Sequence, residues 1–494
     1  MKKTNRRTSF VSLPLRTVFW MFLTLLISNC IKAQTVKKAR NILIIYSDDQ
    51  SHNTIHALGN TEIQTPNLDK LAKEGFSFTQ AHVMGGHQGA VCIPSRVMML
   101  TGRFLNRLPA DGSIIPDSII GLPELLQQKG YTTFHTGKWH SDKASHNRFF
   151  NSGDDIFFGG MHFTGDGGQF HPTVYHYDAS GQYPKELSRK SDTFSTQLYA
   201  DAAIRFLESK EASQSPFVCY VAFTSPHDPR TPPAKYEAMY SPEKISLPPN
   251  FLPRHPFNNG DLKVRDEQLL PHPRLAEDVK KQIALYYGMI SEMDEQVGRI
   301  LKALEKNGLK NNTIVVFAGD NGLAVGQHGL LGKQNLYEHS IRVPMIISGP
   351  GIPRNVRSDA FVYLSDIAPT LYEYLHIKPP ATTEAKSMMP VINGKTKNIR
   401  TSIYNIYGHW SRSIKTPDGF KLIVYNVDGV LTTQLFNLKF DPWEMHNLAN
   451  DKQYTNRINK MRLLLKQQMA EAHDDLDIDL PDWGRKPGQK SHGS

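Results

Sequence analysis

Short apolar runs that end in polar residues alternate along this chain with amphipathic helical segments, and this alternation restricts the fold more than any other feature. NILIIYSDD at 41–49 is typical, because it is continuously apolar, like a strand buried on both faces, and ends in two aspartates. The segment 65–75 follows as a helix that begins with Thr-Pro and ends at a glycine. The repeated pattern predicts an α/β fold, in which helices sandwich a large, mainly parallel mixed sheet.

This pattern covers most of the chain and changes near residue 395. Further strands are predicted at 131–140, 217–223, 313–322 and 343–349, and further helices at 122–130, 193–209 and 279–307. After residue 395, short strands joined by turns and a helix near 453–472 predict a smaller C-terminal antiparallel sheet plus helix subdomain. Two long stretches, 141–192 and 224–278, show neither pattern and are predicted to be irregular.

The N-terminus has the three-part layout of a secretory leader. Basic residues precede the apolar run VFWMFLTLLIS, which is too short to span a membrane, and the segment ends at Ala33. The predicted organisation is a signal peptide at 1–33, a catalytic domain at 34–394, the C-terminal subdomain at 395–480 and a disordered tail at 481–494. The protein is therefore predicted to be exported, periplasmic or secreted, without a transmembrane segment. Lipid anchoring through Cys30 is the alternative.

The charge of the chain argues against a nucleic-acid-binding protein. The formal net charge is +10, but six basic residues and no acidic ones lie in the predicted leader, which leaves +4 on the mature chain. No stripe of basic residues of the kind that contacts nucleic acid occurs in the sequence. The remaining charge is compatible with an anionic substrate.

Cysteine is rare in this chain, with three in 494 residues. Cys219 lies in the apolar run PFVCYVAF, where a cysteine behaves as a small buried hydrophobe, so no disulfide framework is expected. Cys92 is different, because it begins the sequence CIPSR. Pro94 suits the first turn of a helix, which places residue 92 at a helix N-terminus, where anions are favoured.

Polar residues gather where four of the predicted strands end. The pairs are Asp48 and Asp49, Lys138 and His140, His227 and Asp228, and Asp320 and Asn321. Ligands of open α/β sheets bind at the carboxyl ends of strands, so these side chains are expected to converge. Turn chemistry accounts for any single pair but not for all four together. The first and last pairs offer only oxygen ligands, which favours a hard cation such as calcium or magnesium over zinc.

The segment AVCIPSRVMMLTGR at 90–103 resembles the signature of type I sulfatases, the formylglycine-dependent sulfatases of the alkaline phosphatase superfamily. Other family motifs follow in order: GKWH (137–140), SPHDP (225–229), GDNG (319–322), GKQNLYEHSIRVP (332–344) and QLFNLKFDPWEMHNLA (434–449). The resemblance covers roughly residues 40–475. It implies an exported sulfatase that hydrolyses sulfate esters.

The resemblance also implies a modified nucleophile and a bound cation. Cys92 is expected to be converted to formylglycine (3-oxoalanine) by a formylglycine-generating enzyme, and one hydroxyl of the hydrated aldehyde to attack sulfur. One divalent cation, calcium with magnesium as the alternative, is expected to polarise a sulfate oxygen. The implied cation ligands are Asp48, Asp49, Asp320, Asn321 and residue 92.

Catalytic and substrate-binding roles are implied for the other matched residues. Arg96, Lys138 and Lys333 are expected to neutralise the charge of the sulfate. His227 is expected to protonate the leaving oxygen, and His140 to help the elimination of sulfate. His328, in GQHG, either lines the pocket as a substrate-binding residue or has a structural role. His339 stands where relatives often have an acid, which leaves the role of Glu338 open.

The predicted substrate is a sulfated polysaccharide or oligosaccharide. The stretch 159–178 is rich in aromatic, His and Asp residues, a mixture that suits sugar rings, although a packed surface loop has a similar composition. Basic residues of the second long stretch are candidates for contacts with further anionic groups: Arg254, His255, Arg265, His272 and Arg274. The alternatives are a phosphonate or phosphodiester hydrolase on the same scaffold and a catalytically silent glycan-binding relative. The silent relative would lack some of the matched residues, and none is missing.

Overall fold

The structure, a computed structural model, describes residues 40–481 and 483–486 of the 494-residue chain. The predicted leader at 1–33, Cys30 and most of the predicted tail lie outside the described residues. None of the described helices combines the length and the apolarity that crossing a bilayer requires.

The strands of the described chain form three sheets. In chain order they are β1 (Asn41–Ser47), β2 (Phe76–Phe78), β3 (Ala81–His82), β4 (Gly85–Gly86), β5 (Thr132–Lys138), β6 (Ser152–Phe157), β7 (Thr173–Tyr175), β8 (Ser188–Lys190), β9 (Phe217–Ala222), β10 (Thr313–Gly319), β11 (Arg342–Val343), β12 (Met345–Ser348), β13 (Val356–Ser358), β14 (Val362–Tyr363), β15 (Ile403–Tyr407), β16 (Ser411–Lys415), β17 (Phe420–Val427) and β18 (Val430–Asn437). The sheet order β13-β2-β12-β10-β1-β9-β5-β6-β7-β8 describes the largest of them.

The large sheet is mixed, and its centre is parallel, as the sequence predicts. Strands β10, β1, β9, β5 and β6 run parallel to one another, whereas β12 and β7 pair antiparallel to the two ends of this block. Alternate residues of β1 enter different cores, with Ile42 and Ile44 on one face and Leu43 and Ile45 on the other. Burial on both faces explains why the run is apolar without interruption.

The described chain contains helices of very different length. They are α1 (Pro66–Glu74), α2 (Cys92–Thr101), α3 (Leu122–Gln127), α4 (Lys143–Phe149), α5 (Ser195–Leu207), α6 (Lys210–Gln214), α7 (Ala234–Glu237), α8 (Ala276–Lys306), α9 (Glu338–Ile341), α10 (Ile367–Tyr374), α11 (Met389–Ile392) and α12 (Thr455–Glu471). The predicted helices and strands are present, with ends that differ by a few residues. Helix α8 buries the apolar stripe that its sequence predicts, including Ile283, Ile290 and Val297.

The prediction that 141–192 is irregular is wrong. This stretch contains α4 and the strands β6, β7 and β8, which extend the large sheet at one edge. Their sequences, SGDDIF, TVY and SRK, are short and carry polar residues that edge strands tolerate, so they lack the apolar run by which a buried strand is identified. The stretch 224–278 is irregular as predicted, apart from α7 and short 3-10 turns.

The C-terminal sheet has the order β18-β17-β16-β15-β4 and packs with α12. Strands β15 to β18 pair antiparallel as predicted, but β4 joins in parallel from the segment just before Cys92. Gly85 permits this approach, since its φ is 114° and a Cβ atom there would collide with the carbonyl of Ile406. The segment before residue 92 is thereby tied to the C-terminal sheet.

Candidate active site

Four neighbouring parallel strands bring the predicted polar residues to one edge of the large sheet. The strands are β10, β1, β9 and β5, and each is followed by, or ends in, one of the polar pairs. A cavity of about 400 Å³ opens there. It is lined by Gln88, Gly89, Ala90, Cys92, His140, Gly160, Met161, His227, Val264, Arg265, Asp266, Lys333 and Gln334. The arrangement is the one expected of a ligand site in an open α/β sheet.

Cys92 is the first residue of α2, as the position of Pro94 predicts, and only 2% of it is exposed. Its Sγ lies 3.3 Å from Nδ1 of His140 and 3.6 Å from Nζ of Lys138. Lys138 is the last residue of β5, and His140 adopts a left-handed φ of 66° just beyond it. The helix N-terminus and the end of β5 thus place a cation and an imidazole beside residue 92.

The carboxylates lie at the ends of β1 and β10. The backbone N–H of Asp49 donates to Oδ1 of Asp320 at 3.0 Å, and Nδ2 of Asn321 donates to Oδ1 of Asp49 at 2.6 Å. Ligand atoms of Asp48, Cys92 and Asp320 lie within 4.8 Å of one another, and so do those of Asp48, Asp49 and His227. Since β1 and β10 are adjacent, their turns form one buried acidic cluster.

Each carboxylate of this cluster faces a cationic side chain. Lys138 Nζ lies 2.6 Å from Asp48 Oδ2, Lys333 Nζ lies 2.6 Å from Asp49 Oδ1, and Arg96 Nη2 lies 2.8 Å from Asp320 Oδ2. Burial raises the pKa of Asp48, but Lys138 and the other nearby cationic side chains together outweigh it and lower that pKa. Burial and the neighbouring charge of Asp48 together raise the pKa of Asp320 well above its usual range.

Two oxygen atoms of the cluster are left without a partner among the described residues. Asp48 Oδ1 and Asn321 Oδ1 are buried and accept no hydrogen bond. Buried acceptors without a donor are rare in folded proteins because leaving them unsatisfied costs free energy. An all-oxygen ligand set with free acceptors fits a hard divalent cation, so the residues present are suited to hold one.

Asp228 contacts the His227 imidazole on its Nδ1 side. Its Nδ1 lies 3.1 Å from Asp228 Oδ1, and its Nε2 lies 3.5 Å from Asp49 Oδ2. Burial lowers the pKa of His227, but the carboxylates of Asp49 and Asp228 outweigh it and raise the pKa to about 9. His140 differs, because burial and the charge of Lys138 both lower its pKa well below the usual range. The two imidazoles at the pocket therefore favour opposite protonation states.

His328, predicted either to line the pocket or to be structural, is not among the residues that line it. Its ring stacks on Tyr337 with centroids 4.0 Å apart, and its Nε2 lies 3.0 Å from Nδ2 of Asn250. His339 is buried and is also absent from the lining, while the carbonyl of His339 accepts a hydrogen bond from Ser51. Both residues therefore make protein contacts outside the lining of this cavity.

Glu338 belongs to a buried ion-pair cluster with two lysines of the C-terminal sheet. Its carboxylate lies 2.6 Å from Lys415 Nζ and 3.2 Å from Lys421 Nζ. Glu338→Ala should lower the free energy of unfolding by roughly 3–5 kcal/mol, because it leaves buried lysines without their partner. Urea denaturation measures this change.

The matched control for this prediction is Glu305→Ala. Glu305 is exposed and lies 3.7 Å from Lys310, and losing such a pair should change the free energy of unfolding by at most about 1 kcal/mol. Equal unfolding profiles for Glu338→Ala and Glu305→Ala would contradict the structural role of Glu338.

The basic residues of the 224–278 stretch divide into two groups. Arg265 borders the pocket, but its Nη2 lies 2.9 Å from Asp228 Oδ1 and 2.7 Å from Asp266 Oδ1. Arg274 is buried, and its Nη2 lies 2.6 Å from Glu267 Oε2. Neighbouring carboxylates thus neutralise the charges of both arginines. The other basic residues of the group, Arg254, His255 and His272, line a separate cavity.

The stretch 159–178 contributes to the pocket through Gly160 and Met161. Gln169 of the same stretch is buried, and its Nε2 donates to the carbonyl of His227 at 3.3 Å. Several pocket residues were not singled out from the sequence: Gln88, Gly89, Ala90, Met161, Val264, Asp266 and Gln334. The available signal was adjacency, since three of them lie within four residues before Cys92 and Gln334 follows Lys333.

Two family models match the chain. The model described as "Sulfatase" matches residues 40–377, and the model described as "N-sulphoglucosamine sulphohydrolase, C-terminal" matches residues 326–472. The first match alone covers well over half of the chain and includes every residue of the pocket.

Known proteins resemble the chain over most of its length. A "Sulfatase" of Formosa agariphila is 30% identical over 463 residues, which cover 87% of this chain and 87% of the relative. An N-acetylglucosamine-6-O-sulfatase of Bacteroides thetaiotaomicron is 26% identical over 523 residues, covering 91% and 89%. A structure solved in complex with its substrate D-glucosamine-2-N,6-O-disulfate superposes with a TM-score of 0.70 at 23% identity, covering 89% of this chain and 99% of that one.

Proposed function

The chain belongs to the sulfatase family of the alkaline phosphatase superfamily and is a sulfuric ester hydrolase, and from this premise we propose that it desulfates a sulfated oligosaccharide or polysaccharide. The proposed nucleophile is a hydrated formylglycine formed from Cys92, assisted by one divalent cation. The observation that carries the proposal is the convergence of Cys92, the acidic cluster and three cationic side chains at one edge of the large sheet, next to a cavity that Cys92 and Lys333 line.

The surroundings of Cys92 support its conversion to formylglycine. A maturation enzyme would oxidise the thiol to the aldehyde, and water would hydrate the aldehyde to a carbon that carries two hydroxyls. The position of Sγ beside Lys138 and His140 gives these hydroxyls a cationic neighbour and a proton acceptor. Two hydroxyls on one carbon allow a nucleophilic step and an elimination step to occur at one residue.

In the first step, one hydroxyl of residue 92 gives up its proton to the neighbouring carboxylate of Asp320 and attacks sulfur, and the bond from sulfur to the alcohol oxygen breaks. Lys138 and Lys333 lie beside the site of attack and stabilise the charge on the sulfate oxygens, while Arg96 keeps Asp320 in place. His227 protonates the leaving oxygen through Nε2, because Asp228 holds its Nδ1. The alcohol leaves and residue 92 carries the sulfate ester.

In the second step, the remaining hydroxyl of residue 92 gives up its proton and the carbon–oxygen bond to sulfate breaks. His140 is placed to accept this proton, since its Nδ1 is 3.3 Å from the Sγ position. The aldehyde re-forms, sulfate leaves, and water restores the hydrate. The net reaction consumes one water for each sulfate ester.

The sulfatase family is metal-dependent, and the proposed cation is calcium, with magnesium as the alternative. Asp48, Asp49, Asp320, Asn321 and residue 92 would hold it, and the unpartnered oxygens of Asp48 and Asn321 support this assignment. When bound, the cation supplies Lewis-acid polarisation of a sulfate oxygen and lowers the pKa of the nucleophilic hydroxyl. Arg96, Lys138 and Lys333 already neutralise the charges of the three carboxylates. A bound divalent cation would therefore give the pocket a net positive charge, which suits an anionic substrate.

The proposed substrate and location rest on the relatives and on the sequence. The N-acetylglucosamine-6-O-sulfatase that resembles the chain acts, by its name, on a sulfated sugar. We further propose that residues 1–33 direct export and that the mature chain comprises a catalytic domain to residue 394 and a C-terminal subdomain from residue 395. An exported enzyme meets sulfated polymers outside the cytoplasm.

Mass spectrometry of the peptide that contains residue 92 tests the nucleophile. Protein produced together with a formylglycine-generating enzyme should carry the aldehyde at position 92, and the aldehyde content should correlate with activity towards 4-nitrophenyl sulfate. Protein made without the maturation enzyme is the control and should retain the thiol. Full activity from protein with only the thiol would refute the proposed mechanism.

A parallel screen tests the reaction class. Defined sulfated oligosaccharides should release inorganic sulfate, whereas phosphate monoesters, diesters and phosphonates should be poor substrates. Faster turnover of the phosphorus esters would favour the alternative hydrolase. Binding of sulfated glycans without turnover by aldehyde-bearing, cation-loaded protein would favour a silent binding protein.

A further inference from the structure

A second cavity lies beside the catalytic pocket and has a cationic lining. Its volume is about 540 Å³. It is lined by Arg254, His255, Leu262, Lys263, Gln268 and His272, all from the irregular 224–278 stretch. Not one of these lining residues is acidic. Arg254, His255 and His272 are among the basic residues predicted to contact further anionic groups, whereas Lys263 is not.

The cationic side chains of this cavity are not compensated by carboxylates. Arg254 and Lys263 are exposed, and within the described residues neither forms an ion pair. The nearby Arg265 and Arg274 behave differently, since Asp228, Asp266 and Glu267 neutralise them. Arg254 and Lys263 therefore keep a positive charge at the second cavity, where an external anion can reach it.

The wall of the cavity is held rigidly. The ring of His255 packs on Phe257 with centroids 4.6 Å apart, and its Nδ1 donates to the carbonyl of His328 at 2.9 Å. Gly329 has a φ of 76°, and a Cβ atom there would collide with the backbone of Arg254 and His255. This close approach fixes the position of the 254–255 backbone, and it gives His328 a structural role behind the second cavity.

One chain segment forms walls of both cavities. Leu262 and Lys263 line the second cavity, whereas Val264, Arg265 and Asp266 line the catalytic pocket. Consecutive Cα atoms are about 3.8 Å apart, so the residues that line the two cavities follow one another directly along the chain. A glycan that reaches both cavities must extend beyond one sugar residue.

We propose that the second cavity binds a further anionic group, a sulfate or a carboxylate, of the same glycan whose scissile sulfate occupies the catalytic pocket. This inference rests on the proposed function, because it takes a glycan as the substrate. It narrows the substrate class to polyanionic oligosaccharides, in which Arg254 and Lys263 contact a charge on a neighbouring sugar. The contact positions the chain and contributes to KM rather than to the chemical step.

The test combines Arg254→Gln with Lys263→Gln in one protein. The control replaces Lys395 and Lys397 with glutamine, since these two lysines are also exposed but lie in a distant part of the sequence. Binding of short dextran sulfate oligosaccharides, with unsulfated dextran for comparison, is measured by titration calorimetry at two salt concentrations. Turnover of 4-nitrophenyl sulfate, which has no second anionic group, is measured on the same preparations.

The first double variant should bind dextran sulfate about tenfold more weakly than wild type, the size expected for two partly exposed ion pairs, and its binding should depend less on salt. The control should bind like wild type, and all three proteins should hydrolyse 4-nitrophenyl sulfate equally. Equal weakening in both double variants, or in neither, would overturn the proposal. Absence of sulfate ester turnover in matured wild type would instead refute the proposed function, and the binding comparison would still be interpretable.

Discussion

Cys92→Ser protein should release at most one equivalent of alcohol from a sulfate ester and then stop. A serine has one hydroxyl where the formylglycine hydrate has two. The first step needs only one oxygen nucleophile, and serine places it at the start of α2, near Lys138 and His140. The variant can therefore carry out the first step, in which sulfate is transferred to residue 92 and the alcohol is released.

The variant cannot carry out the second step, because elimination of sulfate requires the other hydroxyl on the same carbon. Without it, the sulfate on residue 92 can leave only by slow hydrolysis. Steady-state turnover should fall by roughly a thousandfold or more, in keeping with the loss of a residue that acts throughout a covalent mechanism. The covalent intermediate should accumulate on the enzyme.

The measurement is a rapid-mixing assay of alcohol release, followed by mass spectrometry of the peptide that carries residue 92. That peptide must first be shown to contain unmodified serine, and after reaction it should carry sulfate. Cys219→Ala is the matched control, since Cys219 is also buried but lies in β9 away from the pocket lining, and it should turn over normally. Sustained turnover by Cys92→Ser near the wild-type rate would show that the second hydroxyl is unnecessary.

The sequence predicts those parts of the site that depend on where a strand or a helix ends or begins. Asp48 and Asp49 end an uninterrupted apolar run, and Asp320 and Asn321 end another. Adjacent parallel strands have their carboxyl ends at the same edge, so convergence followed from the strand pattern alone. The position of residue 92 at a helix N-terminus followed from Pro94 in the same way.

Other parts depend on distances that the sequence does not encode locally. The sequence leaves His328, in GQHG, with two alternative roles, and its stacking on Tyr337 is a long-range contact that no local pattern encodes. Arg265 and Lys263 are both basic residues in one irregular loop, yet Asp228 neutralises the first and no described carboxylate neutralises the second. Strands β6 to β8 were missed because polar edge strands carry no apolar run.

The second large effect concerns Asp320, whose replacement should abolish both turnover and stabilisation by a divalent cation. Asp320→Asn keeps the shape of the side chain but removes the charge that faces Arg96 and one oxygen of the acidic cluster. The site then offers two carboxylates rather than three to a hard cation, and its affinity for that cation should fall steeply.

Chelation of the wild-type protein should produce the same loss, because Asp48 Oδ1 and Asn321 Oδ1 accept no hydrogen bond from the described residues that could replace a cation. Activity should fall by roughly a thousandfold or more and return when calcium or magnesium is added back. Comparing the two ions at equal concentration identifies the preferred one.

A readout independent of activity is the melting temperature, since a ligand that binds only the folded protein stabilises it by RT ln(1 + [L]/Kd), or about 2.7 kcal/mol at a hundredfold excess over Kd. Wild type should melt higher with calcium, and Asp320→Asn should show no such shift. Asp366→Asn is the matched control, because Asp366 is equally buried and also faces an arginine. Its Oδ1 lies 2.9 Å from Nη2 of Arg400, and Asp366 is not among the residues that line the pocket. This control should lose stability through its broken ion pair yet keep the calcium-dependent shift, since its acidic cluster is intact. A calcium-dependent shift in Asp320→Asn as large as in wild type, or full activity of rigorously metal-free wild type, would place the cation elsewhere or remove it from the mechanism.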